Sequence, residues 1–228
     1  MKLLNFIKNN LYLVIGVLLF VLFIVWTLLV KFVDVSNIGP LNSSVGLATF
    51  NKTFFDLITP NDTLIKITSI LMILPIALAG VVVVIAIIEW VKRKHILKVD
   101  HEILLFGIFL VILVCLFVLF EVVVINYRPI LEDGELAASY PSTHALICTF
   151  IYLSLLPISN KLFKNNKIIK LVINISLVIL LVLSVVGRLL SGAHWMSDII
   201  GGLLLATSLF FFYFNLVNII NKHLDTKN

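Results

Sequence analysis

The sequence predicts an all-α membrane protein, a single domain over residues 1–228 in which six transmembrane helices form a bundle. Of the 228 residues, 61% are hydrophobic and only 13% are charged, which is about half the charge of a typical soluble domain. Six apolar runs are each long enough to cross a bilayer. They are continuous, unlike the alternating segments of a membrane barrel. A soluble domain, a disordered chain and a disulfide-stapled secreted module are thereby excluded.

The apolar runs define the predicted spans in chain order. The first run is too long for the apolar core of a signal peptide, and no small-residue cleavage site follows it, so we interpret it as a retained span. The third is expected to continue past Glu121 to about Tyr127. The predicted spans cover residues 11–31, 67–90, 103–127, 141–159, 169–187 and 198–220.

The first connection, residues 32–66, is much longer than the other connections. Its second half has apolar residues at helical spacing around Phe54, Leu57 and Ile58. This spacing is typical of a short amphipathic element that lies along the membrane surface. We therefore predict an outer amphipathic connection between the first two spans.

The basic residues set the predicted orientation. With the N-terminus inside and six alternating spans, 12 of the 17 lysines and arginines fall on the inner side. Because cytoplasmic loops carry an excess of Lys and Arg, both termini are predicted to be cytoplasmic. The basic residues of the predicted cytoplasmic segments explain the net charge of +5, and no nucleic-acid partner is indicated. A composition rich in Lys, Asn and Ile fits a bacterial plasma membrane, which the chain would cross several times.

Polar residues gather at three places on the predicted outer face, each at the outer end of a span. Because the apolar runs place these ends at one membrane depth, their side chains can converge. Ionisable groups at such positions are candidates for a functional site. The candidates are Arg128, Ser142, His144, Arg188, His194 and Asp198.

These residue types suit phosphoryl transfer through histidine. Two arginines offer planar forks for phosphate oxygens, and two histidines offer a nucleophile and a general acid. Asp198 follows His194 by four residues, so the two share a helix face if the helix has begun, and Asp198 can also cap that helix. Ser142 and Thr143 open the fourth span, where free N–H groups suit an anion. Without a metal-ligand cluster or a nucleotide loop, we expect no metal and no other cofactor.

Three segments carry a resemblance to a known family. Residues 121–129 read EVVVINYRP, residues 141–144 read PSTH, and residues 187–198 read GRLLSGAHWMSD. In this order they resemble the three motifs of the type 2 phosphatidic acid phosphatase superfamily. Those motifs are Lys, six residues, Arg-Pro; then Pro-Ser-Gly-His; then Ser-Arg, five residues, His, three residues, Asp. The six-span layout is similar to the family's integral-membrane lipid phosphatase branch.

The resemblance implies a role for each matching residue. His194 would attack phosphorus and carry the phosphoryl group, while Asp198 would orient the ring and stabilise its charge. His144 would protonate the leaving oxygen and then activate water. Such a site works by placing positive groups around developing negative charge. The phosphoryl oxygens would be held by Arg128, Arg188, Ser142 and the backbone at Thr143.

Two positions depart from the family pattern. Gly187 stands where the motif has Ser, which removes one hydroxyl contact, and Glu121 stands where it has Lys. Three interpretations stay open for Glu121. It pairs with Arg128 two helical turns later, or it stays protonated in a partly buried setting. The third is that it recognises a cationic or zwitterionic head group, or marks a weakened or inactive enzyme.

The resemblance implies a membrane enzyme that hydrolyses a lipid phosphate at the outer face without metal. Candidate substrates are undecaprenyl pyrophosphate, phosphatidylglycerol phosphate and phosphatidic acid, so the partners are a membrane lipid and the bilayer. The sequence leaves the oligomeric state open. One alternative is a phosphotransferase that passes phosphate to a lipid or glycan hydroxyl by the same histidine chemistry. Another is a catalytically degenerate relative that binds or transports lipid.

Overall fold

A computed structural model describes residues 10–226 of the chain. Lys2, Lys8 and Lys227, which contribute to the predicted orientation, lie outside the described residues. Within 10–226, six helices are long and apolar enough to cross a membrane, as predicted. The elements are α1 (Leu11–Phe32), α2 (Ala48–Phe55), α3 (Asp62–Leu71), α4 (Ile73–Arg93), α5 (His101–Val122), α6 (Thr143–Leu162), α7 (Lys167–Leu190) and α8 (Met196–Asp225). The second span consists of α3 and α4 together, and each of the other spans is one helix.

The second span begins earlier than predicted and is interrupted near its start. The Asn61 side chain accepts a hydrogen bond from the Leu64 N–H at 2.9 Å, which caps α3. The break falls at Met72, between α3 and α4. Pro75 follows closely, and because proline has no N–H it cannot bond the carbonyl of Leu71. The run of apolar residues alone predicts neither the earlier start of this span nor the break at Met72.

The prediction that the third span continues to Tyr127 is wrong. Helix α5 ends at Val122, and residues 123–142 form a connection in which Tyr127 makes an antiparallel bridge with Ala138. The run after Glu121 is apolar, but its consecutive valines are β-branched and weakly helix-forming. The apolar run of the third predicted span therefore extends beyond the end of helix α5.

Helix α6 forms the buried centre of the bundle. It packs against α7 and α8, and α1 packs along α8. The Phe150 ring of α6 stacks between Phe106 and Phe109 of α5, with ring centroids 6.2 Å apart in both pairs. Helices α1, α4, α5 and α7 expose many large apolar side chains, which suits contact with lipid chains rather than water.

Two adjacent glycines bring α8 against the start of α6. A Cβ atom on Gly201 would lie 2.5 Å from the Tyr140 ring, and one on Gly202 would lie 2.8 Å from the Ser142 carbonyl oxygen. At this close approach the Ser142 N–H donates to the Asp198 carbonyl at 2.9 Å. The second and third sequence motifs therefore meet at one end of the bundle. We call it the site end, formed by the connections 33–61, 123–142 and 191–195.

Candidate active site

His194 lies in the tight turn between α7 and α8. The turn contains Gly192 at φ 73°, a left-handed conformation that favours glycine. Because α8 begins only at Met196, His194 precedes the helix, and His194 and Asp198 do not share a helix face. His194 is only 2% exposed. Among the described residues, its Nε2 atom has no hydrogen-bond partner.

Ser139 lies between His194 and Asp198. The Ser139 hydroxyl is 2.5 Å from Asp198 Oδ2 and 3.0 Å from His194 Nδ1. The direct distance from His194 Nδ1 to Asp198 Oδ2 is 3.9 Å, too long for a hydrogen bond. The expected link between this histidine and this carboxylate therefore passes through a hydroxyl that the sequence motifs did not identify.

Other donors fix the Asp198 carboxylate, which is fully buried. The Trp195 N–H donates to Oδ2 at 3.0 Å, so Asp198 caps α8 from its third position rather than as the N-cap residue. Asn126 and Ser197 approach Oδ1 at 3.5 and 3.4 Å. Asn51 of α2 in turn donates to the Ser197 hydroxyl at 2.9 Å. The long first connection is therefore tied to the site.

His144 lies in the first turn of α6 and faces His194. The two ring centroids are 6.4 Å apart. His144 is buried, and neither of its ring nitrogens has a hydrogen-bond partner within the described residues. Ser142 precedes the helix and its hydroxyl accepts from the Ala145 N–H at 3.4 Å, while Thr143 is half-buried. Both histidines thus keep nitrogen atoms available to a third group.

Arg188 lies in the last turn of α7 and is 1% exposed. It donates to the hydroxyls of Thr68 at 3.3 Å and Ser69 at 3.5 Å, both on α3. Its Nε atom has no partner in the part of the chain that is described. A Cβ atom on Gly187 would lie 3.1 Å from the Thr68 methyl group. The glycine that replaces the family's serine therefore lies where Thr68 approaches Arg188.

Arg128 reaches the site from the connection after α5. Its Nε donates to the Ala138 carbonyl at 3.2 Å, and Nη1 pairs with Glu132 at 3.1 Å. The interpretation that Glu121 pairs with Arg128 is therefore wrong, since the helix that would have aligned them ends at Val122. Glu121 is exposed, so the partly buried setting that the second interpretation assumed is absent.

The positive charges of both arginines act on His194. Burial and the nearby Arg128 and Arg188 hold the pKa of His194 well below its ordinary value, so its ring is neutral at physiological pH. A bound anion would offset these charges. The arrangement therefore favours a phosphate group, with a neutral imidazole as nucleophile. Within residues 10–226, no group of three or more His, Cys, Asp or Glu side chains is placed to hold a metal ion.

A cavity of about 350 Å³ lies at the site end, beside Trp195 and Pro129, the residues that follow His194 and Arg128 in the chain. Trp195 lines it and is fixed by a 2.8 Å hydrogen bond from its indole N–H to the Tyr127 carbonyl. Phe55 of α2 packs on the Trp195 ring, with centroids 5.1 Å apart. The remaining lining residues are Ile38, Lys52, Asp56 and Pro129.

The PAP2 superfamily model matches residues 123–222. The resemblance drawn from the three sequence motifs is thus confirmed. The matched segment contains Arg128, His144, Arg188, His194 and Asp198 but begins after Glu121, the position that departs most from the family.

A solved structure shares the fold of this chain. It is described as the crystal structure of the first transmembrane PAP2 type phosphatidylglycerolphosphate phosphatase from Bacillus subtilis. The likeness has a TM-score of 0.58 at 20% sequence identity and covers 91% of this chain and 96% of that chain. No curated protein matches the chain in sequence.

Proposed function

We propose that this chain is a membrane phosphatase of the PAP2 superfamily that hydrolyses a lipid phosphate or pyrophosphate through a phosphohistidine on His194. The observation that carries the proposal is the facing pair of buried histidines, 6.4 Å apart, whose unpartnered nitrogens lie near two arginines. A structural histidine pair would satisfy these nitrogens within the protein.

In the first step, the lone pair of His194 Nε2 forms a bond to phosphorus while the bond from phosphorus to the lipid oxygen breaks. His144 donates a proton to that leaving oxygen. In the second step, His144 takes a proton from water, whose oxygen attacks phosphorus and breaks the phosphorus–nitrogen bond. Phosphate leaves, and both rings return to their starting states. Arg128 and Arg188 stabilise the charge on the phosphoryl oxygens in both steps.

The lipid nature of the substrate is supported by the place of the site within the bundle. His144 opens one membrane span, and Arg188 lies in the last turn of another. Candidate substrates are phosphatidylglycerol phosphate, undecaprenyl pyrophosphate and phosphatidic acid. Since Glu121 is exposed and its carboxylate makes no hydrogen bond or ion pair with another described residue, recognition of a cationic or zwitterionic head group remains its proposed role.

The proposed orientation places the site end outside the plasma membrane of a bacterium and both termini in the cytoplasm. It rests on the excess of basic residues in the connections at the opposite end, residues 94–100 and 163–166, and at the adjoining helix ends.

A phosphate-release assay tests the proposed function. Purified protein is supplied with each of the three candidate lipids in detergent or vesicles, beside His194→Ala and the matched control His223→Ala, whose ring is exposed near the end of α8. We expect release with at least one lipid by wild type and by the control, and none by His194→Ala. Phosphate release by His194→Ala would contradict the proposed histidine mechanism.

The cavity beside Trp195 favours phosphotransfer as a second candidate function, because it could admit a hydroxyl-bearing acceptor next to the nucleophile. Adding glycerol to the assay separates the two. A transferase would form glycerol phosphate in preference to inorganic phosphate, whereas a hydrolase would release inorganic phosphate. A lipid-binding or transport relative without catalysis would form neither product and no phosphohistidine.

A further inference from the structure

The Ser139 hydroxyl is within hydrogen-bond distance of both His194 and Asp198. Its oxygen is 3.0 Å from His194 Nδ1 and 2.5 Å from Asp198 Oδ2, whereas the histidine and the carboxylate stay 3.9 Å apart. All three side chains are at most 2% exposed. No bulk water therefore competes for these bonds, and the hydrogen-bonded path from the carboxylate to the ring runs through Ser139.

The donors around the carboxylate set the direction of this path. Asp198 accepts from the Trp195 N–H and is approached by the amide of Asn126 and the hydroxyl of Ser197, and such donors favour its ionised form. A serine hydroxyl has one proton, and an ionised carboxylate can only accept. The 2.5 Å separation falls in the range of an O–H bond to a charged oxygen. Ser139 therefore donates to Asp198 and accepts from His194, so the His194 proton resides on Nδ1. The lone pair of the ring is then on Nε2, the atom that has no hydrogen-bond partner among residues 10–226.

We infer that Ser139 is a positioning residue that holds His194 in its nucleophilic tautomer and orientation. Asp198 acts on His194 through it. The effect expected on catalysis rests on the proposed function, whereas the tautomer itself does not.

The carboxylate does not depend on Ser139 for its own position. Asp198 Oδ2 keeps the bond from the Trp195 N–H, and Oδ1 keeps the approach of Asn126 and Ser197. Loss of the Ser139 hydroxyl would leave Asp198 in place and the 3.9 Å gap unbridged. The predicted defect is therefore confined to the ring of His194, which would keep its backbone contact with residue 139 but lose the link to the carboxylate.

Three variants isolate the hydroxyl. Ser139→Ala removes it, and Ser139→Thr restores a hydroxyl at the same atom. Ser208→Ala is the matched control, because Ser208 is also fully buried and donates one hydrogen bond, to the Gly16 carbonyl at 3.0 Å. Ser208 lies ten residues beyond Asp198 on α8, which is about 15 Å along the helix.

The rate measurement uses the lipid that wild type hydrolyses in the phosphate-release assay. A misplaced nucleophile costs roughly 100-fold in rate, so we expect Ser139→Ala to lower kcat by about that factor with little change in KM. Ser139→Thr should recover part of the loss, and Ser208→Ala should match wild type. A merely structural role would instead give equal losses in the two alanine variants.

A second readout needs no substrate. Nitrogen-15 NMR of the labelled His194 ring in detergent reports which nitrogen carries the proton. We expect the proton on Nδ1 in wild type and a larger share of the Nε2 tautomer in Ser139→Ala, in which only the backbone contact with residue 139 remains. A wild-type proton on Nε2 would overturn the inference even if every Ser139 variant failed to fold.

The two proposals fail differently. If wild type releases no phosphate from any lipid, the proposed function fails, and the NMR result still decides the role of Ser139. If wild type is active but Ser139→Ala keeps its rate and its tautomer, the inference on Ser139 is wrong while the proposed function stands.

Discussion

The contact between Arg188 and Thr68 gives a quantitative prediction for the second span. The Arg188 guanidinium is buried, and its shortest side-chain hydrogen bond is the 3.3 Å contact with the Thr68 hydroxyl. Thr68→Val keeps the shape of the side chain and removes that acceptor. A hydrogen bond to a charged group contributes about 1.5–3 kcal/mol, and the long 3.3 Å distance places this one at the lower end.

A loss of about 1.5 kcal/mol corresponds to roughly a tenfold fall in kcat/KM. The assay is phosphate release by purified protein with the lipid it hydrolyses, over a range of concentrations. Thr68→Ser, which keeps the hydroxyl, should retain most of the activity.

The matched control is Thr207→Val. Like Thr68, Thr207 donates from its hydroxyl to the carbonyl four residues earlier in its own helix, but among the described residues it has no hydrogen bond with an arginine. Thr207→Val should therefore stay close to wild type. Equal kcat/KM values for Thr68→Val and Thr207→Val would refute the claim that Thr68 supports Arg188 in the site.

Three further predictions concern packing, pH and topology. Gly202→Ala should lower the midpoint of thermal unfolding, because the new Cβ would lie 2.8 Å from the Ser142 carbonyl oxygen and overpacking costs about 1–3 kcal/mol. An unchanged midpoint would contradict the close approach of α6 and α8. The pKa of His194 lies well below 6.5 in the folded chain. As pH falls through 6.5, the unfolded state therefore binds a proton that the folded state does not, and the free energy of unfolding decreases. His194→Gln should lose less of this free energy than wild type over the same pH range. Thermal unfolding of both proteins between about pH 7 and pH 5 checks this, and parallel curves would contradict it. In intact cells, a membrane-impermeant thiol reagent should label Glu135→Cys but not Asn165→Cys in a chain whose native cysteines are replaced, and the reverse pattern would invert the proposed orientation.

Much of the fold could be predicted because the bilayer imposes a simple rule on the sequence. A helix that crosses lipid needs a long run of apolar residues, and six such runs correspond to the six spans of the structure. The rule fails at the end of α5, where the valines after Glu121 are apolar but lie in a connection. Hydropathy reports the solvent around a segment more directly than its backbone conformation.

The candidate site could be predicted in part because its charged residues lie in short motifs. His144, His194 and Asp198 meet at one end of the bundle, as their positions in the motifs implied. The partners that hold them could not be predicted. Thr68 and Asn51 are polar residues in ordinary local sequence, and only tertiary packing brings them to Arg188 and Ser197.

Ser139 is an intermediate case. It lies two residues before the second motif, so its proximity to the site could have been suspected from the sequence. Its place between His194 and Asp198 depends on the path of the connection 123–142, which motif spacing does not encode. The Glu121 interpretations that relied on a continuous helix or on burial failed for the same reason.

The central claim is that His194 carries the phosphoryl group, and trapping that intermediate tests it most directly. Protein is mixed with a lipid pyrophosphate or phosphate that carries a labelled terminal phosphorus, quenched rapidly in alkali and digested for mass spectrometry. The account predicts the label on His194 and its absence in His194→Ala. Label on another residue, or hydrolysis by wild type with no label on His194 at any time, would contradict the account.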